Sequence, residues 1–315
     1  MEKLRIVFMG TPDFAVGILD TIYQNNYEIV GVITAPDKPA GRGQKVSISA
    51  IKEYALAKNL NVLQPTNLKA PEFLSELEQL NANIQVVVAF RMLPEVVWKM
   101  PKFGTFNLHA SLLPEYRGAA PINWAIINGE TKTGVTTFFI DDKIDTGAII
   151  LSKETSIGTN ETAGELHDRL MQLGSDAVLE TLELIKTKKV TTTLQDSISE
   201  EKTAYKLNKD NCKIDWTKPG DTIFNLIRGL SPYPAAWTLI KDGTNEWNVK
   251  LYDATFELAI HSKNIGSISI TKKELFIATK DGFIKVACLQ FPGKKKMQTH
   301  ELLNGISFSE NAIAL

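Results

Sequence analysis

Asn107 and His109 stand two residues apart in a chain of 315, and Asp145 follows 36 positions after the histidine. On a strand, alternation points the Asn107 carboxamide and the His109 imidazole to one face. The run Ser111-Leu112-Leu113-Pro114-Glu115-Tyr116-Arg117-Gly118 then carries the chain off the strand. Strand ends of this kind are where α/β proteins place chemistry. An amide donor, a titratable ring and a carboxylate are the parts of an acyl-transfer site. The first steadies a developing oxyanion, the second moves a proton, and the third balances charge. Three carboxylates, Asp141, Asp142 and Asp145, share one acidic loop, and spacing does not choose among them. Asp145 before Thr146-Gly147 also reads as an ordinary turn aspartate.

These groups need a rigid support, and the flanking sequence supplies one. Leu4 to Met9 is an apolar-rich run ending in Gly10, the pattern of a buried parallel strand. Phe14, Ile18, Leu19 and Ile22 then recur at helical spacing. Strands are expected at 28–33, 61–63, 84–90 and 105–108, alternating with helices at 51–58, 71–80 and 120–127. That alternation implies an α/β open, doubly wound sheet. A hairpin is expected around 141–147 and a long helix over 163–186. Residues 190–211 are polar and read as a linker. Asp221 is expected to cap a short helix, and several short strand candidates after 236 suggest a small barrel. The chain thus divides into a catalytic domain over 1–189, a linker over 190–211 and a C-terminal domain over 212–315.

Composition narrows the classes. Hydrophobic residues make up 43% of the chain, enough for a sizeable core. No run of about 18 apolar residues exists, and Met1-Glu2-Lys3-Leu4 leads straight into a strand, so neither a signal peptide nor a membrane span is expected. Cys212 and Cys288 are far apart, which fits a reducing cytoplasm. His109, His167, His261 and His300 are scattered without metal-ligand spacing, so no metal is expected. The first βα turn, Gly10-Thr11-Pro12-Asp13, lacks GxGxxG and speaks against a dinucleotide.

Charge is uneven. Residues 1–204 hold 20 basic against 25 acidic side chains, net −5, and residues 205–315 hold 15 against 11, net +4. The Lys294-Lys295-Lys296 cluster belongs to the positive part. That balance suits a polyanion and equally a solvated surface. The segment Thr34 to Lys45 has two prolines, two glycines and three basic residues, Lys38, Arg42 and Lys45, against Asp37. It reads either as an arm that grips phosphate or as a solvated loop.

Asn107-x-His109-x-Ser111-Leu112-Leu113-Pro114-x-x-Arg117-Gly118 with Asp145-Thr146-Gly147 resembles the 10-formyltetrahydrofolate-dependent formyltransferase family. The wider chain is similar to members of that family that act on methionyl initiator tRNA. This likeness is carried by Gly10-Thr11-Pro12-Asp13-Phe14, Pro39-Ala40-Gly41-Arg42-Gly43, Gly118-Ala119-Ala120-Pro121-Ile122, Ile214-Asp215-Trp216 and Gly293-Lys294-Lys295. The resemblance implies a Rossmann-like N-terminal domain and a small C-terminal OB-like barrel. It implies catalysis by Asn107, His109 and Asp145, and folate contact by Ser111, Leu112, Leu113 and Pro114. It implies a tRNA-gripping loop over Thr34 to Lys45, with Arg42 reaching the acceptor stem and Lys38 and Lys45 beside it. The co-substrate implied is 10-formyltetrahydrofolate, and the partners are folate and methionyl initiator tRNA, with no membrane and no obligate protein partner. The chain departs from the family pattern at Phe90-Arg91-Met92-Leu93-Pro94, where a glycine-bearing turn is expected near the pterin. Two other readings stand beside this one. A formyltransferase acting on a UDP-amino sugar or another small amine keeps the chemistry and changes the acceptor, and a non-catalytic nucleic-acid-binding protein keeps only the barrel.

Overall fold

The computed structural model describes residues 2–40, 45–196 and 202–315. The chain forms two compact units. One comprises Met1–Pro121, Thr133–Thr155 and His167–Thr203; the other comprises Ile122–Lys132, Ser156–Leu166 and Ala204–Leu315.

The first unit is built on strands β1 (Arg5–Gly10), β2 (Glu28–Ile33), β3 (Lys38–Ala40), β4 (Lys45–Ser47), β5 (Val62–Leu63), β6 (Ile84–Val88), β7 (Thr105–His109), β8 (Lys132–Phe139) and β9 (Ile149–Ser156). Among the described residues, seven of these form one sheet in the order β5-β2-β1-β6-β7-β8-β9. The pairs from β5 across to β7 are parallel, and β8 runs antiparallel to β7. Every residue of β6 is buried, as are five of the six in β1, because these strands lie inside the sheet with both faces covered. Helices α1 (Asp13–Gln24), α2 (Ala50–Ala57), α3 (Pro71–Gln79) and α4 (Glu95–Trp98) fall between the strands; α5 (Pro121–Ile127) belongs almost wholly to the second unit, and most of α6 (Ala163–Lys186) to the first. The face that α1 buries is Phe14, Ala15, Ile18, Leu19 and Ile22, the helical stripe that the spacing predicts.

This is the Rossmann-like open sheet expected. Its strand order reverses at β1, with β2 on one side and β6 on the other. In such sheets ligands bind outside the carboxyl ends of the strands at this switch point.

One element was not anticipated. Inside the segment expected as a long loop, β3 pairs antiparallel with β4, from Lys38 opposite Ser47 to Ala40 opposite Lys45. The root of this hairpin is fixed by polar contacts. Asp37 accepts hydrogen bonds from Lys52 Nζ at 2.5 Å and Gln64 Nε2 at 2.8 Å, and Gln64 also donates to the Ala35 carbonyl.

The second unit holds α7 (Gly220–Leu230), β10 (Ala236–Asp242), β11 (Asn245–Leu258), β12 (Ile268–Thr271), β13 (Glu274–Ala278), β14 (Gly282–Gln290), β15 (Met297–Gln298), α8 (Thr299–Leu302) and β16 (Ile313–Ala314). The strands run β12-β13-β14-β11-β10-β16. Alternating burial along β14 turns one face inward. Register shifts around Asp253 bend β11, which curls the sheet. The ring closes through Ala314. It pairs with Ile240 of β10, while its amide donates to the Gly266 carbonyl at 2.9 Å and Ile268 N donates to the Ala312 carbonyl at 3.0 Å. Gly266 has φ +81°, and a Cβ there would stand 2.3 Å from the Ala314 carbonyl oxygen. The last seam therefore requires glycine. The helix expected to be capped by Asp221 is capped differently. Pro219 is the N-cap, Asp221 lies in the first turn, and the Gly220 amide donates to Asp281 Oδ1.

Candidate active site

His109 is the last residue of β7, and Asn107 precedes it on the same face of that strand. Asn107 lies beside Val87 of β6 and opposite Phe138 of β8; His109 lies opposite Thr136. The histidine is 6% exposed. Its Nε2 lies 2.8 Å from the Tyr116 carbonyl oxygen. A carbonyl only accepts, so Nε2 carries the hydrogen and Nδ1 is the nitrogen left to exchange a proton. Nδ1 faces Asp145 Oδ2 at 3.8 Å. The tautomer is thus fixed by a backbone carbonyl, and the carboxylate is placed to balance an imidazolium. Asn107 is half-buried, and its carboxamide takes no protein partner among the described residues.

The acidic loop resolves into separate roles. Asp141 closes its own turn by accepting from Thr146 Oγ1 at 2.8 Å and from the Lys143 amide. Asp145 is the carboxylate beside His109, and its Oδ2 also accepts the Gly118 amide at 3.0 Å. Asp145 holds φ +54°. Gly147 follows because the chain runs back against β8: a Cβ there would sit 1.7 Å from the Phe139 carbonyl oxygen.

The Ser111–Pro114 segment is a tight turn packed on β8. The Ser111 hydroxyl donates to the Glu115 carbonyl at 2.7 Å, and Ser111 is fully buried. Thr136 Oγ1 donates to the Ser111 carbonyl at 2.7 Å and accepts the Leu113 amide at 3.1 Å. Leu113 is buried, whereas Leu112 and Pro114 are partly exposed. After β6, Arg91 ties the Phe90–Pro94 segment down by donating to the Thr66 and Pro65 carbonyls. Met92 in that segment is 66% exposed. Lys38 is exposed at the start of β3; Arg42 and the Lys45 side chain lie outside the described residues. No group of three or more His, Cys, Asp or Glu among the described residues is placed to hold a metal.

Family models match both parts of the chain. Residues 4–182 match the formyl transferase model, and residues 206–307 match the formyl transferase C-terminal domain. The chain belongs to the formyltransferase family. Among its formyltransferase relatives, the methionyl-tRNA formyltransferase of Flavobacterium johnsoniae is 68% identical over 312 residues, covering 99% of each chain. That of Bacteroides fragilis is 49% identical over 314 residues, covering 98% of this chain and 97% of its own. Solved structures share the formyltransferase fold at lower identity. WlaRD, a sugar 3N-formyl transferase, superposes with a TM-score of 0.64 at 24% identity over 94% of this chain and all of its own. HypX from Aquifex aeolicus gives 0.65 at 19% identity over 96% of this chain and 49% of its own.

Three groups packed around this candidate site escaped sequence reasoning: the Tyr116 carbonyl, Thr136 and Gln195. The first is a backbone atom, and the second is visible only once β8 is registered against β7. Gln195 lies 50 residues beyond Asp145, in the polar stretch read as a linker, where composition gave no signal.

Proposed function

We propose that the chain transfers the formyl group of 10-formyltetrahydrofolate to the α-amine of methionyl initiator tRNA. The observation that carries the chemistry is His109 Nδ1 facing Asp145 Oδ2 at 3.8 Å, with the Asn107 carboxamide unpartnered on the same strand. The acceptor is supported by relatives of that name aligned over nearly the whole chain.

An α-amino group has a pKa of about 8, so about a tenth of it is already neutral and nucleophilic at pH 7. As it attacks, the formyl carbon becomes tetrahedral and its oxygen takes up negative charge. Asn107 donates an amide hydrogen to that oxygen; one such donor contributes about 3–4 kcal/mol. His109 takes the amine proton at Nδ1, returns it to the leaving N10, and in between is an imidazolium stabilised by Asp145. Ser111 to Pro114 flank the folate. In this reading residues 1–189 carry the chemistry, 190–211 link, and 212–315 with Lys38, Arg42 and Lys45 hold tRNA phosphates in the cytoplasm, where charged tRNA is found.

The deciding experiment is a radiolabelled formyl-transfer assay with methionyl initiator tRNA and a UDP-amino sugar side by side. Transfer to the tRNA is expected. Transfer to the sugar alone reassigns the acceptor, and transfer to neither removes the enzyme reading.

A further inference from the structure

The Gln195 carboxamide uses both donors on the loop that presents Asp145 and its acceptor on Arg117. Its Nε2 donates to the Asp145 carbonyl at 2.9 Å and to the Gly147 carbonyl at 2.8 Å. Its Oε1 accepts from Arg117 Nε at 3.1 Å and Nη2 at 2.7 Å. Arg117 Nε also reaches the Asp145 carbonyl at 3.1 Å. The orientation of the amide is unambiguous, because carbonyls only accept and a guanidinium only donates. Glutamate lacks the two donors, lysine and arginine lack the acceptor, and asparagine is one methylene shorter. Gln195 is itself brought there by a backbone bridge. Thr193 and Ile149 exchange both hydrogen bonds, at 2.8 and 2.9 Å, which pins the segment to the first residue of β9.

What Gln195 holds is a backbone that needs holding. Asp145 is in the left-handed region at φ +54°, a conformation that persists in a non-glycine residue only when its surroundings fix it. Gly118 restrains the carboxylate, and Gln195 with Arg117 restrains the peptide behind it. We infer that Gln195 is a positioning residue that sets the Asp145 carboxylate against His109, making residues 193–195 part of the catalytic apparatus. This rests on the proposed role of Asp145.

The test measures formyl transfer, both KM values and the melting temperature for Gln195→Ala, Gln195→Glu, Asp145→Ala and Asp145→Ala/Gln195→Ala. Each Gln195 variant is expected to lower kcat about 10- to 100-fold, the scale of an ångström-sized misplacement, with both KM values within about twofold. On the Asp145→Ala background, Gln195→Ala is expected to add less than about threefold, since both changes remove one function. Near wild-type kcat in Gln195→Ala, or a full additional penalty on the Asp145→Ala background, overturns the inference. If Gln195→Ala does not fold, Gln195→Glu, which keeps the Arg117 contact, decides by the same kcat criterion. Wild-type turnover in Asp145→Ala removes the catalytic reading and this inference together; a slow Asp145→Ala beside a fast Gln195→Ala removes the inference alone.

Discussion

Thr136 stands directly opposite His109 across the β7–β8 ladder, and its buried hydroxyl closes the turn that leaves the histidine strand. Thr136→Val keeps the shape and strands the Leu113 amide and the Ser111 carbonyl. The expected cost is about 1–3 kcal/mol of stability, the penalty for unpaired buried groups. A raised KM for the formyl donor is expected with it, and Thr136→Ser should restore both. Chemical denaturation and steady-state kinetics check this; an unchanged donor KM would detach the turn from folate binding.

Asn107 and His109 should fail differently from a structural residue. Asn107→Ala removes one oxyanion donor and should lower kcat about 10²–10³-fold. His109→Ala removes proton transfer and should lower it about 10²–10⁴-fold. Because Asn107 takes no protein partner among the described residues, its variant should melt as the wild type does. Folate binding measured by fluorescence should survive in both. Wild-type turnover in either variant would remove that residue from the mechanism.

Arg42→Ala tests the acceptor arm. The expected result is a raised KM for tRNA and a salt dependence shallower by about one unit of slope, as for a lost phosphate contact. A change confined to folate affinity would instead assign the arm to the donor.

The root of the hairpin carries a pH signature. The hydrogen bond from Gln64, and then that from Lys52, hold the Asp37 carboxyl below its usual value. A depressed carboxylate stabilises the folded state above its unfolded pKa, about 4, and loses that contribution as pH falls through the lowered value. Wild type should therefore exceed Asp37→Asn in stability by a constant margin above about pH 5, and the margin should shrink below about pH 4. Urea unfolding at stepped pH reads it directly; a margin that widens toward acid would contradict the assignment.

Gly266→Val addresses the barrel seam. The φ of +81° and the 2.3 Å approach to the Ala314 carbonyl leave no room for a side chain. Destabilisation of about 3 kcal/mol is expected from the backbone strain and the forced shift together. Calorimetry would show it, and an unaltered transition would mean the seam contributes nothing to the fold.

The sequence carried the doubly wound order because continuous apolar runs report strands buried on both faces, as in β1 and β6. It also carried Asn107 and His109, since a strand has one side-chain period. It did not carry what depends on pairing partners far along the chain. The short β3–β4 ladder, the Pro219 cap in place of Asp221 and the closure by Ala314 follow from tertiary contacts that no local pattern encodes. The choice of Asp145 over Asp141 turned on which carboxylate meets His109, and the Gln195 clamp on a return of the chain from 50 residues away.

The seam at Ala314 also orders events in time. During vectorial synthesis β10 and the segment from Gly266 to Ile268 keep unpaired backbone groups until residues 312–314 have left the ribosome. Segments Ile122–Lys132 and Ser156–Leu166, made with the first unit, must wait for Ala204–Leu315 before their own unit can form. Open strand edges are templates for wrong pairing. The burden of this closure therefore falls on the nascent chain, as exposure time to chaperones and neighbouring chains, and leaves the finished barrel untouched.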